Sequence, residues 1–396
     1  MPVGQLGDEV SVEALTDDPY PIYARMRREA PVAYVPAVDL WFVTRWPDVV
    51  AASEDPVRFP AALAGSPLDR TLGGRNVLTV DGDEQARFRR PMEPTLRPRA
   101  LEEGAAVVIE RIATDLIGRF EPLGVTELMR EFCEPLAVLS LAEVIGLRGL
   151  DAPTLQRWFH RLAAGTSNYE RDPEKQRLAD AASAEIDETL RPLFEALLDR
   201  PDGSMVSNML HAELGDLDER MQAFMPTLKL ALIGGLQEPG HGMGSTIFGL
   251  LSDPEQHRAF LTDPDGLAKA ATDEGIRWVS PIGTQARAAA GAKVAGVDLP
   301  EGASVALIVP SANRDEDIWG PTADEFDMFR PRHAHAAFGF GPHFCVGHYL
   351  ARLQLRTAMR VVFTRLPRMR LDPERRTTFT GWEYRGPATL PVRWDG

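Results

Sequence analysis

Apolar positions recur at helical spacing through most of the chain before residue 280. Tyr20-Pro21-Ile22-Tyr23 opens a short helix into Met26 and Arg27, and Leu101 to Phe120 carries Val107, Ile109, Ile112, Leu116 and Ile117 at that spacing. Leu136 to Ile145 reads as a buried helix, and residues 173 to 199 as a long one. Leu228 to Leu251 is a further buried helix, interrupted by Gly234-Gly235-Leu236-Gln237-Glu238-Pro239-Gly240. Two-residue alternation is sparse. Ala33-Tyr34-Val35 and Trp41-Phe42-Val43-Thr44 predict a hairpin, Ala303 to Val309 a third strand, and Thr389 to Trp394 a closing one. The Pro/Gly/Asp breaks at Arg200-Pro201-Asp202-Gly203 and Thr262-Asp263-Pro264-Asp265-Gly266 are short, as helix-to-helix connections are. The pattern predicts a mainly α protein with small β-sheets, folded as one domain over residues 1–396.

Composition narrows the class. The 396 residues are 44% hydrophobic and 26% charged, which excludes disordered, collagen-like and disulfide-scaffold chains. Two cysteines, Cys133 and Cys345, point to a cytoplasmic protein. Met1 to Leu15 has no basic run followed by an apolar stretch, so no signal peptide is expected, and no apolar run is long enough to span a membrane. A net charge of −15 argues against a nucleic-acid partner.

The strongest chemical signal is Phe338-Gly339-Phe340-Gly341-Pro342-His343-Phe344-Cys345-Val346-Gly347, leading into a helix from about His348 to Leu366. Three glycines allow a tight loop with backbone close to its neighbour. A cysteine at a helix N-terminus meets exposed N–H groups, which favour thiolate and suit a metal ligand. His333, His335, His343, Cys345 and His348 also crowd together, as in a zinc site, but without finger spacing or a second cysteine pair. The loop resembles the haem-ligand loop of the cytochrome P450 family, Phe-Gly-x-Gly-x-His-x-Cys-x-Gly, at every fixed position. The resemblance implies the P450 fold, with haem b between a long distal helix and a cysteine-bearing proximal loop and helix. It makes Cys345 the axial iron ligand and sets Phe338, Gly339, His343 and Gly347 around the cofactor.

Other segments are similar to the same family. Glu274-Gly275-Ile276-Arg277 is by itself an ordinary helical ion pair. It falls where the family keeps a Glu-x-x-Arg motif, and Arg330 in Phe326-Asp327-Met328-Phe329-Arg330-Pro331 would complete that structural network. Arg287 resembles the family's propionate-binding arginine. In Asp81-Gly82-Asp83-Glu84-Gln85-Ala86-Arg87-Phe88-Arg89-Arg90, Arg89 matches a second one, while Gln85 replaces the usual histidine. An arginine–carboxylate pair is chemically apt there, although both arginines would also suit a solvated face.

In the distal helix the family's acid–alcohol pair is replaced by Gln237 and Glu238. Pro239 removes a helical N–H and predicts a kink. Gly234 and Glu238 lie one turn apart, so a partly buried Glu238 carboxyl could exchange protons near the iron. Gln237 to Met243 and Gly381-Trp382-Glu383-Tyr384-Arg385-Gly386-Pro387 most resemble the bacterial aromatic O-demethylase subgroup. The resemblance implies a monooxygenase using O2 and a small organic substrate, through hydroxylation or O-demethylation of an aryl ether. Electrons would come from a ferredoxin or a flavin/iron–sulfur reductase, with Arg87, Arg89, Arg90, Arg97, Arg99, Arg352, Arg356 and Arg360 as a docking patch. Substrate-pocket candidates are Leu72, Thr166, Gly234, Ile282, Gly283, Ala286 and Tyr384. A peroxide-driven reaction enabled by Glu238, and a non-enzymatic haem sensor or carrier, are the alternatives.

Overall fold

Helices with strong capping signals supply most of the architecture of the computed structural model, which describes residues 6–63 and 65–395. Residues 1–5, at the head of the stretch searched for a leader, lie outside them. The Pro173–Asp199 helix spans the range its sequence predicts, because the Asp172 side chain accepts from the N–H groups of Glu174 and Lys175 and a proline occupies the first turn. Leu217–Leu236 begins with a reciprocal capping box between Asp216 and Glu219. Ala106–Phe120 buries Ile109, Ala113, Leu116, Ile117 and Phe120. Val107 lies off that stripe and is 73% exposed, a correction to its place in the apolar face.

The distal segment is two helices where the sequence suggested one kinked helix. Leu217–Leu236 ends, Gln237 adopts φ −123° and ψ −29°, and Glu238–Ser252 begins anew. Pro239 sits in the first turn of the second helix, where its missing N–H leaves no bond unmade.

Val32–Val35 and Leu40–Val43 form the expected antiparallel hairpin. The second strand runs parallel to Ser304–Ile308, which pairs antiparallel with Thr284–Ala288. The closing segment divides between two sheets. Gly386–Thr389 pairs with Thr378–Thr380, whereas Pro391–Arg393 lies between Val125–Glu127 and Arg370–Leu371. Leu390 makes the crossing, its N–H held by Glu127 Oε1 at 2.6 Å.

One buried ion network ties the cysteine loop to the core. Arg277 donates to both Glu274 oxygens at 2.7 and 2.8 Å and to the carbonyls of Asn313, Ala323 and Glu325. Arg330 reaches Glu274 at 3.3 Å. The Asn313 side chain in turn accepts from the Ala336 N–H at 2.7 Å, at the entrance to the loop. Arg277→Ala would leave the buried Glu274 carboxylate with Arg330 as its one cationic partner and take a donor from three carbonyls, so a loss of about 3–5 kcal/mol of stability is expected in chemical denaturation.

Candidate active site

The cysteine loop is held from three sides. Gly339 and Gly341 take φ of +70° and +67°, and a Cβ on either would strike Gln285 Nε2 or the Ser53 carbonyl at 2.1 or 2.5 Å. The Cys345 N–H bonds to the Phe338 carbonyl at 2.9 Å. From the Gly82–Arg89 helix, Gln85 donates to the Pro342 carbonyl at 3.0 Å and Arg89 to the Phe344 carbonyl at 2.7 Å. His343 Nε2 meets Asp81 at 2.9 Å. Gln85 therefore anchors the loop, a task the sequence reading did not give it.

The protein alone does not make Cys345 a thiolate. Burial pushes its thiol up to about 11, the Glu238 carboxyl adds to that rise, and the Gly347 N–H opposes it. This corrects the expectation drawn from the helix N-terminus: the Gly347 N–H is outweighed by loss of solvent. A bound cation at the sulfur would reverse the balance, since a coordinating thiol is deprotonated by its metal.

Cys345 opens into a cavity of about 300 Å³. Arg89, Arg287 and His343 line one side, while Ile233, Ile282, Ala286, Leu350 and Leu355 are among its apolar walls. Arg287 is 4% exposed and its Nη2 has no partner, although Nη1 donates to the Ala286 carbonyl at 2.8 Å. Burial lowers its pKa to about 10. A buried guanidinium with a free nitrogen calls for an anion, and a soft sulfur donor shares the same apolar cavity. These residues fit the haem that the loop resemblance implies, with a carboxylate at Arg287 and iron at Cys345.

The histidines around the loop do not make a zinc site. His343 is taken by Asp81, His348 Nδ1 by Arg352 and His333 Nδ1 by the Ala334 carbonyl. Among the described residues no group of three His, Cys, Asp or Glu side chains could hold a metal ion.

Across the cavity, Glu238 faces inward from the first turn of its helix, beside Gly234, and no side-chain hydrogen bond or ion pair to it is found among the described residues. Burial raises its pKa to about 8. Gln237 is a correction: it does not line the cavity. Its amide points the other way, donating to Glu134 at 2.9 Å and meeting His241 Nε2 at 3.1 Å. Burial lifts Glu134 to about 7 and holds His241 down to about 4, with His160 adding to the latter.

Of the substrate-pocket candidates, Thr166, Gly234, Ile282, Ala286 and Tyr384 line the cavity, and the hydroxyls of Thr166 and Tyr384 lie 2.9 Å apart. Leu72 and Gly283 do not. Leu72 is fully buried in the main core, and Gly283 is pressed on the chain at Trp382, where an added Cβ would meet its carbonyl at 1.8 Å. The sequence reading missed Tyr169, Thr284 and Glu383, which line the same space. The available signal was an isolated acid beside Tyr384.

Glu238 also predicts a stability trend. A carboxyl raised from 4.5 to about 8 binds more protons folded than unfolded, so its contribution to stability falls as pH rises through that window. His241, lowered from 6.5 to about 4, acts in the opposite sense only below its unfolded value. Between pH 6.5 and 8 the carboxyl effect therefore stands clear of it. Glu238→Gln is expected to melt progressively higher than the parent protein across that interval.

Residues 267–375 match the family described as Cytochrome P450. The chain is 30% identical over 416 residues to cytochrome P450 107B1 of Saccharopolyspora erythraea, covering 99% of each. It is 29% identical to 6-deoxyerythronolide B hydroxylase of the same organism, covering 96% of each. Among solved structures, myxobacterial cytochrome P450 CYP267B1 in complex with myristic acid is 28% identical, with a TM-score of 0.84 over 96% of this chain and 97% of that one.

Proposed function

The chain belongs to the cytochrome P450 family, a haem-thiolate oxidoreductase, and from that premise we propose a monooxygenase that oxidises a small organic substrate held between Glu238 and Tyr384. The observation that carries this reading is the unpartnered Glu238 carboxyl facing the cavity that Cys345 also lines. Cys345 would hold the iron, Arg287 and Arg89 the propionates, and His343, Phe338, Gly339, Gly347 and Gln85 would set the loop around the cofactor. When bound, the haem supplies an iron centre at which dioxygen is activated and one oxygen atom reaches substrate carbon.

Glu238 acts by holding a proton. Near neutrality it is largely protonated, because burial outweighs the favourable field of its helix N-terminus. It would give its proton into the cavity and recover one as a carboxylate. Gln237, bonded to Glu134 and His241, fixes the break that aims Glu238 inward. The apolar walls exclude bulk water from the reacting carbon, and Thr166 with Tyr384 forms a polar end to the pocket. The balanced conversion takes R–H, O2, two electrons and two protons to R–OH and water. On an aryl methyl ether the hydroxylated methyl would leave as formaldehyde.

The electrons come from a separate ferredoxin or flavin/iron–sulfur reductase, and the whole chain works as one cytoplasmic domain. Of the candidate docking arginines, Arg87 pairs with Glu213, Arg99 with Glu103, Arg352 with Asp273 and Arg360 with Glu110. Arg89 gives Nε to Glu93 and Nη1 to the Phe344 carbonyl, which leaves Nη2 for a propionate. These candidates are thus paired with acids, and the exposed pairs among them are worth little, so they exchange partners at little cost.

A second reading follows from the same carboxyl: ionised above pH about 8, Glu238 as base toward hydrogen peroxide would replace both O2 and the electron partner. The test is the carbon monoxide spectrum of the reduced protein, followed by turnover of an aryl-ether panel. One arm supplies ferredoxin, reductase and O2; the other supplies peroxide alone. A Soret band in the thiolate-haem position with product in the first arm supports monooxygenation. Product only with peroxide favours the second reading, and a histidine-type band overturns both.

A further inference from the structure

The cavity wall holds a buried carboxylate that the reaction does not use. Glu383 is 6% exposed and lines the cavity on the same wall as Tyr384. Both its oxygens lie 2.9 Å from the Thr284 hydroxyl, and the Tyr169 hydroxyl stands beside it. These donors steady a carboxylate, yet no ion pair reaches it among the described residues. Burial nevertheless raises its pKa to about 7, so the hydroxyls do not recover what desolvation takes away.

The distribution of charge sharpens the point. Arg89 and Arg287, the cationic residues lining the cavity, stand with His343 on the side assigned to the propionates. The substrate end contains Glu383 and Glu238 with hydroxyls and the rings of Tyr169 and Tyr384. Tyr384 packs edge-on against Phe159, and Tyr169 packs at a 50° tilt against Trp382, so both rings are held by aromatic neighbours. A carboxylate lacking only a cation, beside two aromatic rings, matches what recognises an organic ammonium group. The protein's net charge of −15 adds a long-range field of the same sign.

We propose that Glu383, with Tyr169 and Tyr384, binds a positively charged nitrogen on the substrate and so selects organic cations with an apolar or aromatic body. The assignment rests on the reading of this cavity as the substrate pocket. The ammonium is held by Glu383, so Glu238, on its separate helix, stays available for proton delivery.

The test compares phenyltrimethylammonium with tert-butylbenzene, its uncharged isostere, on the haem-loaded protein. A quaternary nitrogen cannot ligate iron, so calorimetric binding and any Soret shift report the pocket alone. Phenyltrimethylammonium is expected to bind about tenfold more tightly than tert-butylbenzene, and Glu383→Gln to erase that difference without weakening the neutral probe. Glu238→Gln should leave the ratio within about twofold. If Glu383→Gln fails to load haem, Tyr169→Leu serves instead and should reduce the ratio about threefold. Equal affinity of the two probes, or a ratio that follows Glu238 and not Glu383, overturns the cation site while leaving the pocket reading intact. Binding of neither probe, with no Soret response, overturns both.

Discussion

Cys345→Ser is expected to abolish monooxygenase turnover and the thiolate-type carbon monoxide spectrum together, while the protein remains folded. Serine has nearly the shape of cysteine, and the loop geometry is set elsewhere: by the two left-handed glycines, the Cys345 N–H to Phe338, and the anchors from Gln85 and Arg89. What disappears is a sulfur that becomes strongly donating only when a metal displaces its proton. Cys133 cannot replace it. That side chain is wholly buried in the core just before the Glu134–Ile145 helix, it does not line the cavity, and burial pushes its thiol well above the ordinary range. Cys133→Ser is therefore the matched control and should keep the parent spectrum. A normal thiolate band in Cys345→Ser, or its loss in Cys133→Ser, would move the ligand assignment to the other cysteine.

Different parts of this site were legible in the sequence to different degrees, for physical reasons. The cysteine loop could be read because its glycines, histidine and cysteine are contiguous and each position has its own steric or chemical demand. The Glu274, Arg277 and Arg330 network could be anticipated only from the resemblance, since nothing local marks an ion pair as buried. The direction of the Cys345 pKa was misjudged because a helix terminus is visible in sequence and a surrounding apolar cavity is not. Gln237 was given the place of the family's acid by resemblance alone. The chain breaks at that residue, and its side chain follows the partners Glu134 and His241 instead. Leu72 and Gly283 show the same limit: one packs into the core, and the other, between the cavity-lining Ile282 and Thr284, packs against backbone. Glu383 was overlooked because its partners, Thr284 and Tyr169, come from distant segments that only the fold brings together.

Glu238→Gln is expected to reduce product formed per electron pair by about 10²–10³-fold with the ferredoxin system, within the usual span of a positioned acid–base group. Glutamine preserves volume and hydrogen-bonding capacity, so substrate affinity and haem loading should hold, separating proton delivery from packing. The pH profile carries the diagnostic. With its pKa raised by burial to about 8, Glu238 is protonated at neutrality and loses that proton as pH rises, so parent turnover should fall above pH about 8. In the glutamine variant the residual rate should be flat through the same range. Glu238→Asp should recover part of the rate, because the carboxyl returns on a shorter stem, and should restore a pH dependence. Peroxide-driven turnover should fall with glutamine as well if the carboxyl accepts a proton there. A Glu238→Gln rate within about twofold of the parent and an unchanged pH profile would remove this residue from proton delivery and assign its inward orientation to the helix break alone.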